Sequence, residues 1–168
     1  MPELSRPKGV FEERIDFDKI EASQDRRVSY TLAELRVLLR RSEELTLRWA
    51  REQIVQKKLK TVVAKYQMPL FMKYREIIRR KVLSAHRRGR SDAMGELALS
   101  TPPLRRPEMN RARARADALA QAHRARLEAD IIRELTSAVE GNIDGDVIVW
   151  TIRQVFANFA GWADPDAP

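Results

Sequence analysis

The sequence predicts an all-α protein of three long helices and a shorter C-terminal helix, with an extended N-terminal arm and a C-terminal tail. Three observations point there. Apolar residues recur at i, i+3 and i+4 over stretches much longer than a strand. The chain of 168 residues has only six glycines, few for any β-rich fold. Its eight prolines fall near the ends or between the periodic stretches, where they punctuate helices without interrupting them.

Residues 1–30 read as an arm: seven acids and six bases surround Pro2, Pro7 and Gly9, and the apolar residues Phe11, Ile15, Phe17 and Ile20 are scattered. Those aromatics suggest that part of the arm docks on something, because a purely solvated tail has little use for phenylalanine. At Thr31-Leu-Ala-Glu34 the spacing is that of a capping box, which predicts a helix start. Leu35, Leu38, Leu39, Leu45, Trp49, Ile54, Leu59, Val62, Val63 and Tyr66 then follow at helical spacing with no Gly or Pro before Pro69. A helix of about 35 residues, roughly 50 Å, is the expectation, ending at Met68 because a residue before proline is pushed out of the helical region.

Pro69 suits the opening of a second helix that carries Leu70, Phe71, Tyr74, Ile77, Ile78, Val82 and Leu83 and reaches Leu97. Gly89 is its weak point, leaving one bent helix or two split near Arg88-Gly89-Arg90. Residues 31–99 thus form a helical hairpin region, and the proline-rich 100–108 stretch a linker. The 109–161 unit holds a third long helix, from about Pro107 to Glu140, and the C-terminal one. Alanine is the main apolar residue of the first half of this helix (Ala112, Ala116, Ala120), so that face must pack closely against another helix or stay thinly buried. Gly141 is the expected left-handed cap, and Asn142–Gly145 a turn. From Asp146, Ile148, Ile152, Val155, Phe156 and Phe159 fit a helix; Val147 to Ile152 is also β-branched enough for a strand, but no partner strand is visible. Residues 162–168 are the tail.

The net charge of +8 is a sum of unlike parts. Residues 1–30 carry −1, residues 31–126 hold 24 bases against 9 acids, and residues 127–168 hold 2 bases against 8 acids. Of the 32 bases, 24 are arginine, whose planar fork suits phosphate and carboxylate pairs better than ammonium does. Arg75, Arg79, Arg80, Arg87, Arg88 and Arg90 on the second helix, and Arg105, Arg106, Arg111, Arg113 and Arg115 around the third, are the candidate contacts to nucleic acid or to an acidic partner. A solvated, arginine-rich helix face accounts for the same pattern. Phe11, Phe17, Trp150, Phe156, Phe159 and Trp162 are the candidate contacts to a protein partner, with core packing the competing role. The acidic third can complement the basic helices within one bundle or in a neighbouring copy, which would favour a homo-oligomer.

The sequence offers no reaction. With no cysteine, thiolate chemistry and Cys-type zinc sites are excluded. His86 and His123 lack a second ligand at metal spacing, and Gly89 to Gly95 lacks the Lys-Ser/Thr of a phosphate loop. Asp144-Gly-Asp146 has Val155 where a calcium loop needs glutamate. No apolar run approaches the roughly 20 residues that span a bilayer, and Met1 to Val10 lacks the apolar core of a signal peptide, so a soluble, non-enzymatic chain without cofactor or metal is expected.

Ala85, Gly89, Arg90, Ala93 and Leu97, followed by a proline loop and an Ala/Arg helix, resemble the Ala-x-x-x-Gly-Arg-x-x-Ala-x-x-x-Leu segment of the minor head, or head-morphogenesis, proteins of tailed bacteriophages. The likeness covers about 45 residues, and nothing in the chain matches the larger C-terminal region that many members carry. The resemblance implies a structural virion component that attaches to the portal or inner capsid surface, contacts packaged DNA, and resides in the virion after assembly in the host cytoplasm. The alternative is a sequence-nonspecific nucleic-acid-binding protein, ribosome-associated or DNA-compacting.

Overall fold

The computed structural model of the chain describes residues 17–96 and 103–161. Phe11, Trp162 and the side chain of Phe17 therefore lie outside the described residues, as does Leu97. Every regular element described is helical: α1 (Phe17–Val55), the one-turn α2 (Leu59–Val62) passing into a 3-10 turn (Val63–Lys65), α3 (Phe71–Glu96), α4 (Arg106–Glu140) and α5 (Gly145–Ala160). The all-α expectation holds, and Val147 to Ile152 is helix.

Several boundaries differ from the sequence reading. The helix begins at Phe17, so residues 17–30 are not an extended arm, and Thr31 and Glu34 sit inside a helix instead of capping one. No glycine or proline lies between Gly9 and Pro69, and extending a helix costs far less than nucleating one. The same helix stops at Val55, well before Met68, without a breaker residue. Lys57 takes the left-handed region (φ 54) and turns the chain so that Leu59 and Val63, each 5% exposed, enter the core. Burial of two aliphatic side chains outweighs the roughly 1–2 kcal/mol that a left-handed lysine costs. In contrast, α3 runs through Gly89 as one helix. Gly141 is not a left-handed cap: its φ is −75, and Asn142 takes the positive φ of 51. What position 141 requires is space, since a Cβ there would meet Ile143 Cγ1 at 3.2 Å.

Two packing units share α4. In the first, α3 and the N-terminal half of α4 form an antiparallel hairpin: Phe71 lies under Arg124, Tyr74 meets His123, and Arg90 meets Glu108. Here the buried α4 residues are Ala112, Ala116 and Ala120, so alanine's small size is used for close helix packing. In the second unit, the half of α4 that carries Leu127, Ile131, Leu135 and Ala138 packs on α5 and on the α2 turn, and α5 packs in turn on α1. Helix α5 is antiparallel to both neighbours, with its first residue Gly145 beside Ile54 of α1 and Phe159 edge-on to His123 of α4. Leu127, Ile131, Leu135, Ile152 and Phe156 are all 0% exposed.

The corner between α1 and α3 is fastened by polar groups. The fully buried Ser42 donates to the Pro69 carbonyl (2.9 Å), and the fully buried Thr46 shares a 2.8 Å bond with the Tyr66 hydroxyl. The Met68 amide donates to Glu128 (2.7 Å). These bonds hold Leu70 in the left-handed region (φ 60), from which α3 starts.

If alanine is required at the hairpin seam, Ala116→Leu overpacks it and lowers stability by about 1–3 kcal/mol, while Leu127→Ala in the second unit costs about 2–5 kcal/mol. Urea unfolding measures both; an Ala116→Leu variant with an unchanged midpoint would show that the seam has room to spare.

Candidate interaction surfaces of the hairpin

The arginines that dominate the sequence divide, in the structure, into those that build the hairpin and those that face outward. Asp117, on α4, accepts two forked pairs from α3: Arg75 Nε and Nη2 at 2.9 and 3.0 Å, and Arg79 Nε and Nη2 at 2.5 and 2.6 Å. One carboxylate thus holds two guanidinium planes across the seam, the geometry for which arginine is suited and lysine is not. The two arginines, Arg79 foremost, hold the Asp117 carboxyl well below the usual carboxylate range. Farther along, Glu108 accepts Arg90 Nη1 at 2.7 Å and the Arg105 backbone amide at 2.9 Å, so it caps α4 and ties α3 to it. Its carboxyl is also lowered, chiefly by the Arg105 amide. Arg80 pairs with Glu34 of α1, and Lys81 reaches the same carboxylate at 3.6 Å.

Of the candidate contact residues, Arg75, Arg79, Arg80 and Arg90 are therefore engaged within the chain. Arg88 donates to Ser84 (2.9 Å) on its own helix. Arg87, Arg105, Arg106, Arg111, Arg113 and Arg115 are exposed. These do not form one surface. Each helical residue turns about 100°, so Arg113 stands about 200° from both Arg111 and Arg115. Arg111 and Arg115 instead share an exposed stripe with Ala118, Leu119, Ala122 and Arg126 that runs about 22 Å along α4. Leu119, at 44% exposed, is its apolar element. On α3 an open groove of about 730 Å³ passes Glu76, Arg80, Leu83, Arg87 and Ser91.

Among the aromatic candidates, Phe156 is fully buried and presents nothing to a partner, which corrects its place in that set. Half-buried Phe159 packs edge-on against His123, with ring centroids 6.1 Å apart. Trp150 is 47% exposed. Sequence reasoning overlooked Asp117 and Glu108, the two acids in the otherwise basic 105–126 stretch. Their isolation among seven arginines and one histidine in that stretch was the available signal.

At the junction of the two units the Tyr74 hydroxyl lies 2.7 Å from His123 Nδ1. Burial, with Arg126 adding to it, lowers the His123 pKa, and burial pushes the Tyr74 phenol up to about 12. Neutral His123 accepting from Tyr74 is the arrangement this favours. Among the described residues no group of His, Asp and Glu is placed to hold a metal ion, and no helix is long and apolar enough to cross a membrane. Comparison with models of protein families, with curated proteins and with solved structures gives no match.

Two pH effects follow from these shifts. Because the folded-state value of Asp117 is depressed, its stabilising contribution is complete above the ordinary carboxylate value of about 3.9 and is lost as the pH falls below it. Asp117→Asn is expected to lower the melting temperature at pH 7 and to converge on wild type in acid; a constant gap down to pH 2 would mean that charge pairing is not what the carboxylate supplies. For His123, also depressed, the unfolded chain takes up the proton first, so stability falls as the pH drops below about 6.5. Thermal melts between pH 7.5 and 5 should show a steeper loss for wild type than for His123→Gln.

Proposed function

We propose that this chain is a non-enzymatic structural adaptor of a large assembly, a minor head or portal-associated component of a phage virion that docks through the outward stripe of α4. The observation that carries the docking reading is the composition of that stripe: exposed Arg111, Arg115 and Arg126, which make no ion pair with a described residue, alternate with exposed Leu119 and with Ala118 and Ala122. A phosphate backbone asks only for cations. Cations interleaved with an exposed leucine and small residues suit an acidic protein helix, whose apolar side chains need a surface to cover. The clamp at Asp117 supports the same reading, because it keeps the seam rigid behind the stripe and spares the contact an ordering cost. The head-protein identity of the assembly is supported by the Ala85, Gly89, Arg90, Ala93 and Leu97 pattern described above.

The nucleic-acid reading keeps one specific support, the exposure of Arg87, Arg106 and Arg113 on other faces. Engagement of Arg75, Arg79, Arg80 and Arg90 within the fold weighs against it, since it removes four of the eleven arginines from a continuous phosphate track.

Co-expression of the full chain with the portal and capsid proteins of the genome that encodes it, followed by sedimentation of the particles, tests the proposal. Wild type is expected to travel with the particles, and the triple variant Arg111→Glu/Arg115→Glu/Arg126→Glu to be depleted at least about tenfold with an unchanged melting temperature. Equal retention of the variant overturns the role of the stripe. Duplex-DNA affinity is expected to be weak; a log–log salt slope steeper than about −3, flattened by the same substitutions, would replace the adaptor with the nucleic-acid reading.

A further inference from the structure

Exposed apolar residues are not scattered evenly over the described surface. Of the seven large hydrophobic side chains that are exposed, Val55 (82%), Ile143 (41%), Val147 (43%) and Trp150 (47%) belong to one pole, where α1 ends and α4 turns into α5. The two turns are neighbours, because Gly145 abuts Ile54, with 3.9 Å between a Cβ position and the isoleucine methyls. On α5, Val147 and Trp150 lie about 60° apart and face away from the buried Ile148, Ile152 and Val155. Core packing therefore does not use them.

The charges on the two sides of this apolar pole are opposite. Beyond Val55 the chain turns through exposed Lys57 and Lys58, and beside Ile143 and Val147 stand exposed Asp144 and Asp146. None of these four makes an ion pair with a described residue. A surface with an apolar centre, a basic edge and an acidic edge is complementary to itself under a two-fold rotation, which carries each basic edge onto an acidic one. A partner of uniform charge would meet repulsion along one edge or the other.

We infer that this pole is a two-fold interface between two copies of the chain, with Val55, Ile143, Val147 and Trp150 at its centre and Lys57 and Lys58 of each copy opposite Asp144 and Asp146 of the second copy. Four partly exposed side chains make a small patch, below the standard interface size, so the pair forms and separates with concentration. Its edge charges are open to solvent, so salt weakens it. The interface lies at the far end of α4 from the Arg111–Arg126 stripe, and it does not depend on what that stripe binds.

Sedimentation velocity on the full chain over a concentration series up to about 1 mM reads the equilibrium. Wild type is expected to shift from monomer to dimer. Trp150→Ala, Lys57→Glu/Lys58→Glu and Asp144→Lys/Asp146→Lys should each weaken the dimer about tenfold or more; the last pair also lowers the melting temperature modestly, because Asp144 and Asp146 sit at the N-terminus of α5, so each variant's folding is checked by its melt. The deciding arm mixes the two charge variants in equal amounts. One then has two acidic edges and the other two basic edges, so a mixed dimer at least as tight as wild type is expected. The inference is overturned by a wild type that stays monomeric throughout, by charge variants that dimerise like wild type, or by a mixture that fails to pair.

Discussion

Everything in this fold depends on α4 being one continuous helix that must satisfy two different neighbours along a single face. Over its first half it packs along α3, and over its second half it meets α5 together with the short turn of α2, while α5 carries the contact on to α1. A face lined with alanine lets one helix come close; a face lined with leucine and isoleucine fills the wider space among three. The change from Ala112, Ala116 and Ala120 to Leu127, Ile131 and Leu135 along this face is therefore the constraint that sets where each of the other helices can lie.

The alanine half buries little apolar area, and the clamp at Asp117 compensates for that by directional bonds. Two forked arginine pairs on one carboxylate fix both the distance and the rotation of α3 relative to α4, which alanine contacts alone leave loose. The Glu108–Arg90 pair repeats the device toward the end of the hairpin. Arginines that look, in the sequence, like an undivided basic patch are thus partly structural, and the outward surface is narrower and more apolar than the charge count implies. That division connects the packing of the hairpin to the docking role proposed for it: the inner arginines hold the rod and the outer ones are available.

The His123, Tyr74 and Phe159 contact sits where the two packing units meet, between the alanine and leucine halves of α4. A neutral imidazole there joins α3, α4 and α5 through one hydrogen bond and one ring contact, fastening hairpin and bundle to each other where they share α4.

By itself the sequence determined the helical class, the three long helices and the short one, the Ala-to-Leu change along the third, and the turn at Asn142–Gly145, because these follow from local periodicity and from glycine and proline positions. Only the tertiary structure decided that the first helix extends back to Phe17 and ends at Val55, that Phe156 belongs to the core, and which arginines are engaged. The end at Val55 is set by burial of Leu59 and Val63, a non-local gain that no residue near Lys57 announces. Likewise, whether Arg79 or Arg111 faces a carboxylate depends on where Asp117 lies on a helix 38 residues away from Arg79 in the chain. Periodicity reports which face of a helix is buried; the partner that a charged side chain meets is fixed by which helix packs there.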